Sequence, residues 1–394
     1  MKKTLIALAA VAATSVFAQS TVTIFGTFDP SIANTSVTYG SGASFSNTSE
    51  RNNAQGTSQI TFTGTEDLGG GLKAMFLMEN DFFAGATTGA GATSAVAVTA
   101  PVAPATVPTK TALTGNVPYV TGNAAGNLLG TAGGELYAGF SGSFGSIKLG
   151  GANTPTLTTQ ASRQPFSTKI GGGFSTTCQT AAAACAATTF GIGVLGTGHV
   201  RESNSVVYAS PSMSGFSVQL GYALAELGVP SAAAVGVAKS DLGLFYADGP
   251  ISAGATFYSQ SGVNSLTTLF ASYVLGDAKI IVGYHTEDMT VINATTTNWS
   301  GVALANGSVH NFTGSNIAGT YKFTPALAFL GNYARLTTPS TFAQDKSILG
   351  LGLKYELSKR TSLYTRFVKE SMDNATATQL SEQRTMLVGT QINF

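Results

Sequence analysis

Apolar and polar side chains alternate in many separate segments of this chain. At the carboxyl end, Ile392, Thr390, Val388 and Met386 fall on one side of an extended segment that finishes on Phe394. Because successive side chains of a strand point to opposite faces, this segment is predicted to be a strand with one apolar and one polar face. Such a strand suits a wall between lipid and water.

The same alternation recurs along the chain and predicts an all-β fold. About sixteen such segments predict a transmembrane antiparallel β-barrel that is wide enough to enclose water. The predicted strands lie near residues 20–29, 58–66, 72–82, 134–142, 146–154, 200–209, 215–224, 239–248, 251–259, 266–275, 279–287, 312–323, 326–336, 346–357, 361–370 and 384–394.

The connections between these strands alternate between tight turns rich in Gly, Ser and Asp and long irregular stretches. Bacterial membrane barrels place short turns on the periplasmic side and long loops on the outer side. The long connections are therefore expected outside the cell or folded into the lumen. They span residues 30–57, 83–133, 155–199, 225–238 and 288–311, with shorter ones at 260–265, 337–345 and 371–383.

The amino end has the features of a secretion signal. Lys2 and Lys3 precede an apolar segment, residues 4–16, and small residues follow before a cleavage point after Ala18. We expect residues 1–18 to be a signal peptide and residues 19–394 to be the barrel. Removing two lysines leaves 18 basic against 19 acidic residues, a balance that gives no sign of nucleic-acid binding.

Composition agrees with a barrel without proving it. Only 10% of the residues are charged, and there are 47 glycines, whereas about a quarter of the residues of an ordinary soluble domain are charged. No stretch after residue 18 has the length and apolar character of a transmembrane helix. A secreted β-solenoid or adhesin would share the abundance of Gly, Thr and Ser, so the strand pattern has to separate these classes.

Motifs for chemistry are lacking in the sequence. The three histidines, His199, His285 and His310, fall at predicted strand ends or in loops, and neither a G-x-S-x-G nor an H-E-x-x-H motif occurs. The run from Gly69 to Lys73 lacks the G-K-[ST] ending of a phosphate loop and is predicted to be a turn. We therefore predict no enzyme activity, cofactor or metal site.

Strand alternation assigns charged residues to the lumen. In residues 72–82, Phe76 and Met78 belong to the lipid-facing row, so Glu79 and Asp81 point inward. An Arg or Lys on the lipid face at the bilayer midplane costs about 2 to 4 kcal/mol, which favours inward positions for the others as well. The alternative for each is a solvated charge at the rim with no part in selectivity. The predicted lumen charges are Asp29, Glu79, Asp81, Glu135, Lys148, Arg201, Lys322, Lys354 and Arg366.

Several segments in the same order and spacing resemble the general porins of Gram-negative, betaproteobacterial type. This resemblance implies a trimeric, sixteen-stranded diffusion channel of the outer membrane whose third external loop folds inward and narrows the pore. The segments are STVTIFG at 20–26, QITFTGTEDLGGGLKA at 59–74, GFSGSFG at 139–145, NSVVYASP at 204–211, YELSKRT at 355–361 and the terminal Phe394.

The resemblance also implies basic residues on one wall of the constriction and acidic residues on the inward loop. Here Gln59, Thr63 and Gly151 stand at matching positions where that family commonly has basic residues. We therefore expect only a mild anion preference. The remaining basic candidates are Lys148, Arg201 and Arg366, with Arg163 and Lys169 from the loop at 155–199.

This loop also contains both cysteines, Cys178 and Cys185. Because the chain is expected to pass through an oxidising periplasm, a disulfide between them is favoured over two free thiols. Closing so short a loop would restrict the unfolded chain by about 2 to 3 kcal/mol on the entropic model. The bond would stiffen the constriction.

Two functions fit these expectations. One is a passive channel for ions and small hydrophilic solutes, with no cofactor and with outer-membrane lipid and further copies of the chain as partners. The other is a barrel-anchored surface protein whose long loops bind a partner, and the long segment 83–133 keeps this alternative open.

Overall fold

A computed structural model describes residues 21–81, 134–173, 194–196, 201–202, 204–225, 237–291, 304–377 and 379–394. These residues form one antiparallel sheet of eighteen strand segments. The segments are β1 Thr21–Phe28, β2 Pro30–Tyr39, β3 Ser44–Asn52, β4 Gln59–Gly69, β5 Leu72–Asp81, β6 Leu136–Gly142, β7 Gly145–Gly151, β8 Ser205–Ala209, β9 Phe216–Ala223, β10 Lys239–Asp248, β11 Ile251–Gln260, β12 Asn264–Leu275, β13 Ala278–Thr290, β14 Val309–Lys322, β15 Leu327–Thr337, β16 Lys346–Glu356, β17 Thr361–Met372 and β18 Leu380–Asn393.

The eighteen segments make sixteen wall strands. Only Asp29 separates β1 from β2, and both segments pair with β18. Residues 53–58 separate β3 from β4, which pair with β2 and β1 respectively. Each of these two pairs of segments therefore forms one wall strand, and the predicted sixteen-stranded barrel is confirmed.

The barrel closes between its first and last strands, as predicted. Thr27 is opposite Asn393, and Gly26 and Phe394 exchange two backbone hydrogen bonds of 3.0 Å. Closure satisfies backbone groups that would otherwise be exposed to lipid at a sheet edge.

The prediction that residues 30–57 form a long loop is wrong. This region contains β2 and β3, which are joined by a short connection at residues 40–43. Its strands were missed because the outward row of β2 continues from Ile32 to polar residues such as Asn34 and Ser36. Without an apolar outer row, the alternation that identifies a lipid-facing strand is lost.

The two faces of the wall differ as the alternation predicts. On β13, Ile280 and Val282 are exposed on the outside, while His285 and Glu287 are fully buried on the inside. A hydrophobic cluster also lies within the barrel, and it includes Leu195, Phe312 and Leu336. The main apolar core is therefore enclosed by the wall.

A short helix, α1 (Pro155–Ser162), follows β7. It packs against strands β9 to β12. No helix among the described residues is both long and apolar enough to cross a bilayer.

Candidate pore constriction

The segment after β7 enters the barrel through α1, whose first turn is fixed to the wall. Thr154 caps the helix by accepting a 3.1 Å hydrogen bond from the Leu157 backbone N–H. The buried carboxylate of Asp241 on β10 accepts bonds from the Thr156 N–H at 2.8 Å and from its hydroxyl at 2.9 Å. A carboxylate at this end also complements the helix dipole, so α1 has a defined starting point on the wall.

Arg163, directly after α1, fastens the segment to β13 and β14. Its Nε donates to Asn316 Oδ1 at 2.7 Å, and its Nη1 lies 3.1 Å from His285 Nδ1. Asn316 returns a bond of 2.6 Å from Nδ2 to the Arg163 carbonyl. Arg163 is fully buried, and this desolvation lowers the pKa of the guanidinium to about 9. The side chain holds the loop in place.

Beyond Arg163 the backbone approaches the wall closely. Asn332 Nδ2 donates to the carbonyls of Gly171 and Gly172, both at 3.2 Å. Gly350 on β16 makes room for this contact, because a Cβ there would lie 2.4 Å from the Gly171 oxygen. The wall thus carries a glycine at the point where the inward segment passes.

Between Arg163 and Gly171, residues 166–169 reach β17 and the stretch at 53–58. The Arg366 guanidinium lies 4.9 Å from the centre of the Phe166 ring, and Lys169 Nζ donates a hydrogen bond to Thr57 Oγ1. Residues 155–173 therefore extend from strands β9–β12 across the lumen. The expected inward-folded constriction loop is confirmed for these residues.

Acidic and basic side chains meet beside the loop. Glu79 and Asp81 lie on the inner row of β5, and Arg201 Nη2 is 3.8 Å from Glu79 Oε1. Burial lowers the pKa of the Lys169 ammonium, and the carboxylates of Asp81 and Asp29 partly oppose this shift. Charges of both signs therefore lie within reach of one another beside the loop.

Two further predicted residues lie on the same part of the wall. Lys148 Nζ is 4.5 Å from the centre of the Tyr137 ring, a cation–π arrangement. Glu135 Oε1 accepts a 2.9 Å hydrogen bond from the Asn153 N–H. Both side chains lie beside β6 and β7, close to the start of the inward loop.

Other predicted residues occupy different environments. Lys354 pairs with Glu356 at 2.6 Å near the short-turn end of the barrel, and Lys322 is exposed at the same end. Asp29 and Arg366 face the interior but are buried, with Arg366 only 3% exposed. Cys178, Cys185 and the segment 83–133 lie outside the described residues.

Sequence reasoning missed the polar side chains that dock the loop. Asn316, Asn332 and His285 lie on inward rows of apolar strands, where an isolated amide or imidazole is a detectable signal of a buried polar contact. Gln55 and Thr57 were missed because the sequence predicts residues 30–57 to be a long loop, either outside the cell or folded into the lumen.

The fold and the inward loop define a channel-type outer-membrane β-barrel. A model of the Gram-negative porin family matches residues 4–375. The chain therefore belongs to the Gram-negative porins, which are passive diffusion channels of the outer membrane.

Individual porins are similar along most of the chain. Outer membrane porin protein 32 of Delftia acidovorans is 28% identical over 382 residues, which cover 92% of this chain and 88% of the relative. An outer membrane porin of Bordetella pertussis is 26% identical over 413 residues, covering 92% of this chain and 93% of the relative.

Solved structures show the same fold. An anion-selective porin from Comamonas acidovorans superimposes with a TM-score of 0.69 at 22% identity, covering 95% of this chain and all of that one. The trimer form of OmpT from Vibrio cholerae gives a TM-score of 0.58 at 13% identity, covering 95% and 99% of the two chains.

Proposed function

We propose that this porin is a trimeric, weakly anion-selective channel for ions and small hydrophilic solutes. The observation that carries this proposal is a constriction loop that carries Lys169 and crosses the lumen on the side of Lys148 and Arg201. The OmpT structure described as a trimer supports the oligomeric state, and the anion-selective porin supports the sign of the preference.

The preference is expected to be weak because the basic side chains lie next to carboxylates. Glu79 pairs with Arg201, and Asp81 acts electrostatically on Lys169. An adjacent opposite charge reduces the net potential that a passing ion experiences. Selectivity then depends on the difference between nearly balanced charges.

Reconstitution in a planar bilayer tests the proposal. We expect stepwise, largely ohmic conductance that rises with bulk salt, and a zero-current potential on the anion side under a salt gradient. The variant Arg201→Gln/Arg366→Gln should move this potential toward cations, mainly through Arg201, which is 26% exposed at its side chain. An unchanged potential would remove both residues from the selectivity mechanism. A wild type that does not conduct would favour the surface-anchor alternative, with the loops as binding elements.

Two processing events belong to the same proposal. Residues 1–18 are removed as a signal peptide, and Cys178 bonds to Cys185 in the oxidising periplasm. Mass spectrometry of the mature amino terminus tests the first. A non-reducing peptide map tests the second, because two alkylatable thiols would contradict a disulfide.

A further inference from the structure

Residues 53–58, named here the latch, form a hydrogen-bonded turn that interrupts the wall strand between β3 and β4. Ser58 closes the turn, since its N–H donates to Asn53 Oδ1 at 2.6 Å and its hydroxyl donates to Asn52 Oδ1 at 2.7 Å. Asn53 adopts a left-handed conformation with φ of 63°, which asparagine tolerates better than most residues. The latch therefore has a defined shape of its own.

Asp29 holds the latch from the gap between β1 and β2. Its Oδ2 accepts hydrogen bonds of 2.6 Å from the backbone N–H groups of Gln55 and Gly56. Its Oδ1 accepts a hydrogen bond from the Tyr364 hydroxyl. Hydrogen bonds to a carboxylate are stronger than those between neutral groups, and Asp29 is fully buried. These hydrogen bonds of Asp29 thus connect the latch to Tyr364 on β17.

Gln55 connects the latch to the last two strands. Its Nε2 donates to Ser362 Oγ at 3.1 Å and to Gln391 Oε1 at 2.9 Å. Its Oε1 accepts a 2.7 Å hydrogen bond from Arg366 Nη2. Both hydrogens and the oxygen of the amide are used, so the side chain fits its site in one orientation.

The latch contacts the constriction loop directly at Thr57 and indirectly through Arg366. Thr57 accepts the hydrogen bond of Lys169. Arg366, bonded to Gln55, also lies against the loop residue Phe166 and 5.3 Å from the centre of the Tyr364 ring. A planar guanidinium can stack on rings while it donates hydrogen bonds in its own plane, whereas an ammonium cannot reproduce that geometry.

We propose that the latch is a second constriction element, which holds residues 166–169 of the constriction loop and so sets the size and steadiness of the opening. Asp29 and Arg366 are positioning residues in this arrangement. The inference rests on the proposed channel function. It predicts that loss of latch contacts makes the channel close more often, even when the charge at position 366 is kept.

Single-channel recording of Arg366→Lys and Gln55→Ala tests the latch. Arg366→Lys keeps the charge but loses the planar contact, and Gln55→Ala removes three side-chain hydrogen bonds. We expect both to close briefly at least about five times more often than the wild type, because one lost hydrogen bond already implies that population change. Asp29→Asn, which replaces the carboxylate by a neutral acceptor and so weakens its hydrogen bonds to two N–H groups, should act in the same direction.

Two matched variants control for general loosening of the barrel. Gln344→Ala removes a buried glutamine that bonds to Gln379 at 2.6 Å and to the Asn374 carbonyl at 3.1 Å. Arg335→Lys alters an arginine paired with Asp345 at 2.9 Å. Neither control residue contacts the latch through these bonds, so both variants should close as rarely as the wild type.

The outcomes separate the two proposals. If Arg366→Lys and Gln55→Ala behave as the wild type, the latch does not position the loop. If the control variants close as often as these two, the effect is general loosening and the latch proposal also fails. If Asp29→Asn does not assemble, as judged by heat-modifiable migration on gels, the other two variants decide the matter. Absence of conductance in the wild type would instead contradict the channel function.

Discussion

The inner wall around β12–β17 differs from the inner wall around β4–β7. In the first sector, inward side chains such as Leu266, His285 and Ile348 are almost completely buried. In the second, Gln59 and Lys148 are only partly buried. The same alternation of strand side chains produces both surfaces, and the difference arises from what lies against them.

This difference shows how one barrel supports two kinds of inner surface. Where the constriction loop and the internal apolar cluster cover the wall, inward residues pack or form hydrogen bonds, as Asn316 and Asn332 do. Under the proposed function, charged residues such as Glu79 and Lys148 act on ions where the wall remains partly open. We therefore expect a charge to bear on selectivity according to its sector as well as its inward direction.

The largest effect is expected in the covered sector, from Asn316→Ala. This change leaves the buried Arg163 guanidinium without the acceptor at 2.7 Å, so we expect a loss of about 2 kcal/mol or more in the free energy of unfolding. Urea unfolding in detergent or lipid measures it. Asn311→Ala is the control, because this exposed residue bonds to Asp288 at 2.7 Å near solvent and should cost far less. Equal losses would mean that the hydrogen bond between Asn316 and Arg163 stabilises the fold no more than an exposed one.

Gly350→Ala tests the close approach of the loop to the covered wall. The new methyl group would meet the Gly171 oxygen at 2.4 Å, so the loop must move, at a cost of about 1 to 3 kcal/mol for overpacking. We expect an altered single-channel conductance. Gly331→Ala is the matched control on the neighbouring strand, where the nearest atom is the Phe329 ring at 3.2 Å. An unchanged conductance for Gly350→Ala would place the pore-limiting part of the loop elsewhere.

The wall was predictable from the sequence because lipid imposes a period of two on each strand. The direction of Glu79 and Lys148 followed from the same rule. Strands β2 and β3 were not predicted because they lack this alternation, since polar residues such as Asn34 occupy their outer row. The burial of Asp29 could not be derived in this way, because its contact with Tyr364 joins residues 335 positions apart. Such contacts depend on closure of the whole barrel.

Glu79→Gln tests the balance of charges in the open sector. Removing this carboxylate leaves the Arg201 charge less compensated, so the channel should become more anion-selective. We expect about a twofold rise in the anion-to-cation permeability ratio, the size that a partly exposed ion pair worth a few tenths of a kcal/mol implies. The zero-current potential under a salt gradient measures it. Glu356→Gln, which affects the pair with Lys354 at the other end of the barrel, should change the ratio less, and an equal change would argue against a constriction at Glu79.

The smallest effect is expected from the pH dependence of Lys169. Burial lowers the pKa of this ammonium, although Asp81 and Asp29 oppose the shift. As the pH rises, Lys169 therefore loses its charge before the pH reaches about 10.4, the usual pKa of a lysine. The charged form is the one present at lower pH, and it favours anions. Anion preference should therefore weaken as the pH rises through the lowered pKa, and the zero-current potential should show this in the wild type. Lys169→Met should lack this pH-dependent part and show a weaker anion preference already at neutral pH. If the titration of the variant matches that of the wild type, the alkaline response comes from other groups, and Lys169 contributes to the constriction only through its contact with Thr57.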